Sequence, residues 1–407
     1  MHVVFIEPRF PTNQRFFVRA LKEVGATVTA IGEGSKESLS SDLKSWLTHY
    51  EQVPSVVNEG AVLNAARFIH ARHRIDRIEA VVEAHIMSTA KVREALGIPG
   101  TSVKTAWLCR DKPSMKQALR EAGVPCAQST AASSVEEVVA FAKEVGFPLI
   151  IKPRDGAGAS GATRVNSIAD VERAASGVGL DKGRSVAVEE FIEGHEGFYD
   201  TLTIGGRVVH DFATHYYPNV LEAMRTRWIN PQFIVTNRID SAVGYHELRG
   251  LGQKVVDGLG IGTSATHMEW FSGPKGLKFS EIGCRPPGVR TWDLYNVAND
   301  VDLYREWAHA VVHGRPGARL SRRFSAGLIA IRPSQDGRIF KYVGLDTIER
   351  AFGQWFIDAH LPPEGTPTQP VEAGYMANAW LRFKHPDYDT LRSILNTVGE
   401  TVKCLAR

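Results

Sequence analysis

Apolar positions near the start of the chain form short continuous runs separated by stripes of helical period. Residues 2–6 are almost wholly apolar and read as a buried strand, 15–24 as a helix closed by Gly25, and 27–31 as a second strand. Together they predict a β-α-β unit and a parallel sheet. A further strand is expected over 78–82, and a helix over 88–96 stopped by Gly97 and Pro99. This parallel α/β domain is expected to fill residues 1–100. No G-x-G-x-x-G follows the first strand, so nothing there points to a dinucleotide.

Beyond Asp111 the pattern changes to α+β. Amphipathic helices are predicted over 112–122 and 135–145, stopped at Gly123 and Gly146, and strands over 149–152 and 163–165 flank a glycine-rich segment. A strand over 185–189 leads to a hairpin, 198–204 and 207–212, turning at Gly205-Gly206. A helix over 244–259, a second hairpin over 265–271 and 277–281, and a helix over 300–312 follow. From 325 onward strand-like runs alternate with loops rich in Gly and Pro, and a closing helix is expected over 388–405.

At 407 residues the chain calls for two or three packed domains. Its 48 Lys+Arg against 45 Asp+Glu are too balanced for a nucleic-acid binder. No run of about 18 apolar residues is present, so no membrane span is expected. The opening MHVVFIEP turns polar too soon for a signal peptide, and a cytoplasmic protein is expected. Cys109, Cys126, Cys284 and Cys404 form no C-x-x-C pair and read as reduced thiols packed as small hydrophobes.

Three segments carry candidate chemistry. Lys152 ends an apolar strand just before Gly156, Gly158, Ser160 and Gly161. Glycines let backbone N–H groups approach phosphate oxygens and a lysine adds the matching charge, which makes a phosphate cradle, though not a P-loop. In Glu189-Glu190-Phe191-Ile192-Glu193-Gly194-His195-Glu196 a strand runs into an acidic bend. Extended backbone there can meet an adenine edge, and Glu196 can accept from ribose hydroxyls. An acidic surface loop is the competing reading.

The third segment is geometric. Glu269 and Glu281 lie on two strands joined by 272–276, and both are six residues from Lys275. In a symmetric hairpin they face each other on one side of the sheet, and two such carboxylates repel unless a cation such as Mg2+ sits between them. The same register sets His267 opposite Gly283 and carries Arg285 past the strand end on the face of Glu281. A glycine opposite His267 leaves room for the imidazole to turn toward the site, where it can orient substrate or accept a proton. Simple packing is the alternative for His267.

Taken in order, these segments resemble the ATP-grasp superfamily, in detail over residues 105–290. The resemblance implies a three-domain architecture: a parallel α/β domain over 1–100, an ATP-grasp domain over 101–320 with its lid at roughly 112–190, and a mixed α/β subdomain over 321–407 in the style of biotin carboxylase. It implies that Lys112 and Lys152 meet the nucleotide phosphates under the glycine loop, that Glu189, Glu190 and Ile192 flank adenine, and that Glu196 meets the ribose. Glu269 and Glu281 then hold Mg2+, with Mn2+ as an alternative, and Arg285 holds an acyl phosphate. Gly283 departs from the pattern, since most members carry an asparagine there.

The implied activity is a carboxylate–amine ligase of the L-amino acid ligase kind, which takes ATP and small-molecule acids and amines and forms an amide. The five-glycine loop and the carrier segment of biotin carboxylases are absent from the sequence. Arg225, Arg227 and Arg290 lie in aromatic- and glycine-rich stretches and are candidate carboxylate contacts, against the reading that they are solvated. Two other functions stay open, a carboxyphosphate-forming enzyme and a non-catalytic ATP-binding regulator. A homodimer is expected.

Overall fold

The structure is a computed structural model that describes residues 1–154 and 161–407. Its N-terminal sheet is parallel, in the order His49–Gln52, Thr27–Gly32, His2–Ile6, Arg77–Glu79. Helices cover both faces, which is why the first strand is apolar at successive positions. Val3 and Phe5 pack with Phe17, Val18 and Leu21 of the helix Gln14–Glu23. Val4 and Ile6 pack with Val62, Ala66 and Ile69 of the helix Glu59–Arg72, which the sequence reading had not assigned.

The strand expected over 78–82 is shorter, Arg77–Glu79, and the following helix begins five residues earlier than expected, at Glu83. It runs to Leu96 and is closed by Gly97 at φ 63°, a left-handed conformation that costs glycine little. The early start brings Glu83 to the first turn of a helix at the carboxyl end of the parallel sheet.

Two antiparallel sheets frame the central cleft. A four-stranded sheet has the order Ser129–Ala132, Val186–Glu190, Leu149–Pro153, Thr163–Val165. An eight-stranded sheet begins at the edge with Gly276–Gly283, then Ser264–Gly273, His195–Ile204 and Arg207–Tyr217. It continues through Gln232–Val235, Ser325–Ile331, Ala379–His385 and Phe356–His360.

The closing helix expected over 388–405 stops at Thr401, and Lys403–Ala406 forms a strand against Ile339–Val343. Cys404 and Ala406 are buried while Lys403 is exposed, so the last residues follow a period of two rather than the helical period. Among the described residues no helix is long and apolar enough to cross a membrane. All four cysteines are free and buried.

Candidate active site

Asp111 and Arg154 bring the two predicted lysines together. Asp111 caps the helix Lys112–Glu121 by accepting from Ser114 N–H at 3.1 Å. Arg154 grips the same carboxylate through Nε at 2.8 Å and Nη2 at 2.9 Å, and its carbonyl accepts from Lys112 N–H at 3.1 Å. The helix start is thus tied to the end of the strand Leu149–Pro153. Lys112 Nζ and Lys152 Nζ then lie 3.4 and 3.6 Å from Glu281 Oε2.

A third lysine joins them. Lys116, one turn beyond Lys112 and only 1% exposed, places Nζ 2.5 Å from Glu189 Oε2, and Lys152 Nζ lies 2.9 Å from the same oxygen. Burial raises the pKa of Glu189, but the two ammonium groups reverse this and hold it at about 2. Burial pulls Lys116 below the ordinary lysine value, whereas for Lys152 the same desolvation is outweighed by Glu189 and Glu281, which carry it upward.

Glu269 and Glu281 are directly opposed across the hairpin, as are His267 and Gly283. The route to this register differs from a symmetric loop. The turn is the two-residue Pro274-Lys275, which pairs Gly273 with Gly276, and a bulge at Ser280 moves the register by one before Glu281. The two carboxyls part in behaviour. Burial, Glu281 and Glu196 push Glu269 up to about 8, while the lysines on the far side keep Glu281 below the usual carboxylate range despite its own burial. Glu196 is 5% exposed, accepts from Val220 N–H at 2.6 Å, and is raised to about 7, chiefly by burial.

These groups line one cavity of about 500 Å3. Lys112, Lys116 and Lys152 line it together with Glu196, Glu269 and Glu281, and Ile150, Phe191, Ile192 and Leu221 give it apolar walls. A large concave site with apolar walls and a few convergent charges is the usual form of a cofactor pocket.

Other predicted residues divide. Glu189 does not offer its backbone to a ligand, because Val186–Glu190 is paired on both sides, and its carboxylate faces lysines. Glu190 lines the cavity, but its carboxylate accepts from Gln128 N–H at 3.2 Å and from the ammonium of Lys275 at the hairpin turn. Ile192 lies beyond the doubly paired strand and faces the cavity. Gly156, Gly158 and Ser160 lie outside the described residues, and Gly161 is exposed. Arg225 lines the cavity rim and donates to Ala162 O. Arg227 instead pairs with Asp336 at 2.7 Å, and the exposed Arg290 pairs with Asp293 at 2.6 Å.

The room opposite His267 is not open to its imidazole. A side chain at Gly283 would put its Cβ 3.1 Å from Glu83 Oε2 and 3.5 Å from Arg285 Cγ, so those two residues occupy that space. His267 is turned by Asp200, whose Oδ1 lies 2.7 Å from its Nδ1, and Nε2 stands 3.9 Å from Glu269 Oε1. Arg285 Nε donates to Glu83 Oε2 at 3.1 Å. The sequence reading had passed over Lys116, Glu83 and Asp200. Only Lys116 carried a local signal, its spacing of four from Lys112 on one helix face.

A family model described as the ATP-binding domain of the carbamoyl-phosphate synthase L chain matches residues 111–197. That span starts at the capping aspartate, crosses both predicted lysines and ends just past Glu196. Residues 111–197 thus match an ATP-binding domain of the ATP-grasp kind. The chain is 26% identical over 285 residues to an L-arginine-specific L-amino acid ligase of Bacillus subtilis, covering 68% of each. It is 31% identical over 173 residues to a D-alanine–D-alanine ligase of Pseudomonas entomophila, covering 41% of this chain and 52% of that one. In fold it matches the crystal structure of an L-amino acid ligase from Bacillus licheniformis with a TM-score of 0.76, at 18% identity, over 100% of this chain and 98% of that one.

Proposed function

We propose that this ATP-grasp protein is an ADP-forming carboxylate–amine ligase acting on small molecules, amino acids among them. One observation carries the reading: three lysines and an opposed pair of glutamates converge on a single cavity, with Arg285 just past the strand end. The cationic side suits a triphosphate and the apolar wall an adenine. On this reading residues 1–100, 101–320 and 321–407 are the three domains of the enzyme.

Two half-buried carboxyls that repel, one of them pushed to about 8, fit a hard divalent cation, so Glu269 and Glu281 would hold Mg2+ or Mn2+. The ion supplies charge neutralisation at the phosphates. Lys112, Lys116 and Lys152 then orient the triphosphate. An oxygen of the acid attacks the γ-phosphorus, the bond to the β,γ-bridging oxygen breaks, and ADP leaves. Arg285 steadies the anionic acyl phosphate. The amine nitrogen adds to the acyl carbon, loses a proton, and phosphate departs as the amide forms.

Hydroxylamine replaces the amine in the second step and traps an activated acid as its hydroxamate. The expected result is ATP-dependent hydroxamate and ADP in equal amounts from a panel of carboxylic acids. ADP formed only with bicarbonate would favour carboxyphosphate chemistry instead, and no ADP under any condition would refute the ligase reading.

A further inference from the structure

Cys109 and Cys284 are 175 positions apart in sequence, yet their sulfurs meet at 3.0 Å. That is closer than the roughly 3.5–4.0 Å that unbonded carbon atoms keep. Both thiols are buried, at 5% and 4% exposure, in the apolar cluster that also holds Met115 and Ile282. The other two cysteines stand apart from this pair. Cys126 donates weakly to Lys116 O at 3.8 Å, and Cys404 belongs to the C-terminal cluster.

Each member of the pair adjoins a residue of the site. Cys109 caps the C-terminus of the short helix Val103–Leu108 and is followed by Arg110, the capping Asp111 and Lys112. Cys284 follows the edge strand Gly276–Gly283 and precedes Arg285. Cys109 also lines a small cavity of about 30 Å3, which abuts the nucleotide cavity and shares Lys112 and Glu281 with it. That volume has room for only a water molecule or two and excludes an organic substrate. A small oxidant in the cleft can therefore reach Cys109, with Cys284 already in contact with it. The contact with Cys284 and burial hold the Cys109 thiol well above its ordinary value, so the resting pair is two thiols and their oxidation is slow.

We propose that Cys109 and Cys284 are a redox modification site, at which a peroxide closes an intramolecular disulfide and lowers the activity of the adjoining cleft. The Cys109 sulfur attacks one peroxide oxygen, the O–O bond breaks, and a sulfenic acid and one water form. The Cys284 sulfur then attacks the Cys109 sulfur and expels its hydroxyl group as a second water. Two electrons pass from sulfur to oxygen, and the two thiol protons leave with the peroxide hydrogens in the two waters. A disulfide holds its sulfurs at about 2.05 Å, so closing the bond draws them about 1 Å nearer. The main chain beside Arg285 and Arg110 has to absorb that movement, and a misplacement of about 1 Å costs about 100-fold in rate. The effect on activity rests on the ligase reading above, whereas the bond itself does not.

The test treats the full-length protein with hydrogen peroxide over hours and removes the excess with catalase. Thiols counted in denaturant should fall from four to two, and peptide mapping should recover Cys109 joined to Cys284 with Cys126 and Cys404 still reduced. ATP-dependent hydroxamate formation should fall by about 10- to 100-fold and return with dithiothreitol. Cys109→Ala should keep the rate of the untreated wild type, form no cross-link and hold its rate after peroxide, and Cys284→Ala serves if Cys109→Ala does not fold. Four thiols remaining, thiols lost without the cross-linked peptide, or a cross-linked protein as active as the untreated one would each overturn the proposal. If the untreated wild type forms no hydroxamate, the ligase reading fails, and ATP affinity by calorimetry replaces the rate. An affinity equal in the cross-linked and untreated protein would then overturn the proposal.

Discussion

Replacing Glu189 by glutamine tests whether the lysine cluster is held by one carboxylate. In the folded chain Glu189 is 5% exposed and sits within 2.5 and 2.9 Å of Lys116 and Lys152. A carboxyl whose pKa falls from 4.5 to about 2 holds its charge about 3 kcal/mol more tightly in the folded chain than in the unfolded one. Breaking a buried pair costs about 3–5 kcal/mol in general, because the partner charges are left behind without compensation. For a cooperative unit of roughly 200 residues the unfolding entropy is about 0.4 kcal/mol/K, so the melting temperature of Glu189→Gln should fall by about 7 to 12 °C.

The sign of the pH dependence follows from the direction of that shift. The folded pKa is depressed, so the stabilisation is fully present above pH 4.5 and is lost as the pH falls through about 2. The gap between wild type and variant should therefore be flat from pH 6 to 8 and narrow below pH 4.5. On the proposed reading the triphosphate would supply negative charge to the same lysines, so saturating ATP should raise the melting temperature of the variant more than that of the wild type. Scanning calorimetry over this range, with and without ATP, measures all three. A fall of less than about 2 °C at pH 7 would refute the reasoning, since the lysines would then be compensated elsewhere.

Three further variants probe the rest of the site. Glu281→Gln should abolish ADP formation while leaving the fold intact by circular dichroism, and wild-type turnover would remove the residue from the metal site. Lys152→Ala should weaken ATP binding by about 100-fold in calorimetry, the effect of deleting one partner of a desolvated ion pair. His267→Asn should cut amine-dependent turnover by about 100-fold with ATP affinity nearly intact. If it instead lowers only the melting temperature, the Asp200–His267 contact is packing.

Local patterns made three of the four strands of the N-terminal sheet and the central hairpins legible, while the edge strand His49–Gln52 was not assigned. The opposition of Glu269 and Glu281 could be counted from Lys275, although the structure reaches it by a tight turn plus a bulge rather than by a symmetric loop. Lys116 was visible as a spacing but had no partner in sight, because Glu189 lies more than seventy residues away. Glu83 gave no signal, since an acidic residue in the first turn of a helix is ordinary. The chain end was misread for a similar reason. Its strand exists by pairing with Ile339–Val343, far upstream, and the apolar residues of 402–406 continue a helical stripe just as well on their own.

The link between the edge strand and the lysine-bearing segment decides how the cleft can open. Phe279 N–H donates to Pro125 O at 2.8 Å, and Cys126 bridges to Phe279, so the strand that carries Glu281 is stitched by its main chain to the turn that follows the Lys112–Glu121 helix. On the other flank the cleft is closed by a side chain, with Arg225 reaching Ala162 O at the exposed surface. That main-chain hydrogen bond, beside the buried Phe279, yields later than one solvated guanidinium contact. On the proposed reading, nucleotide exchange would then resemble a book opened at its fore-edge: the Arg225 clasp releases first, and the Lys112–Glu121 helix and Glu281 remain in register at the binding while the outer flank swings.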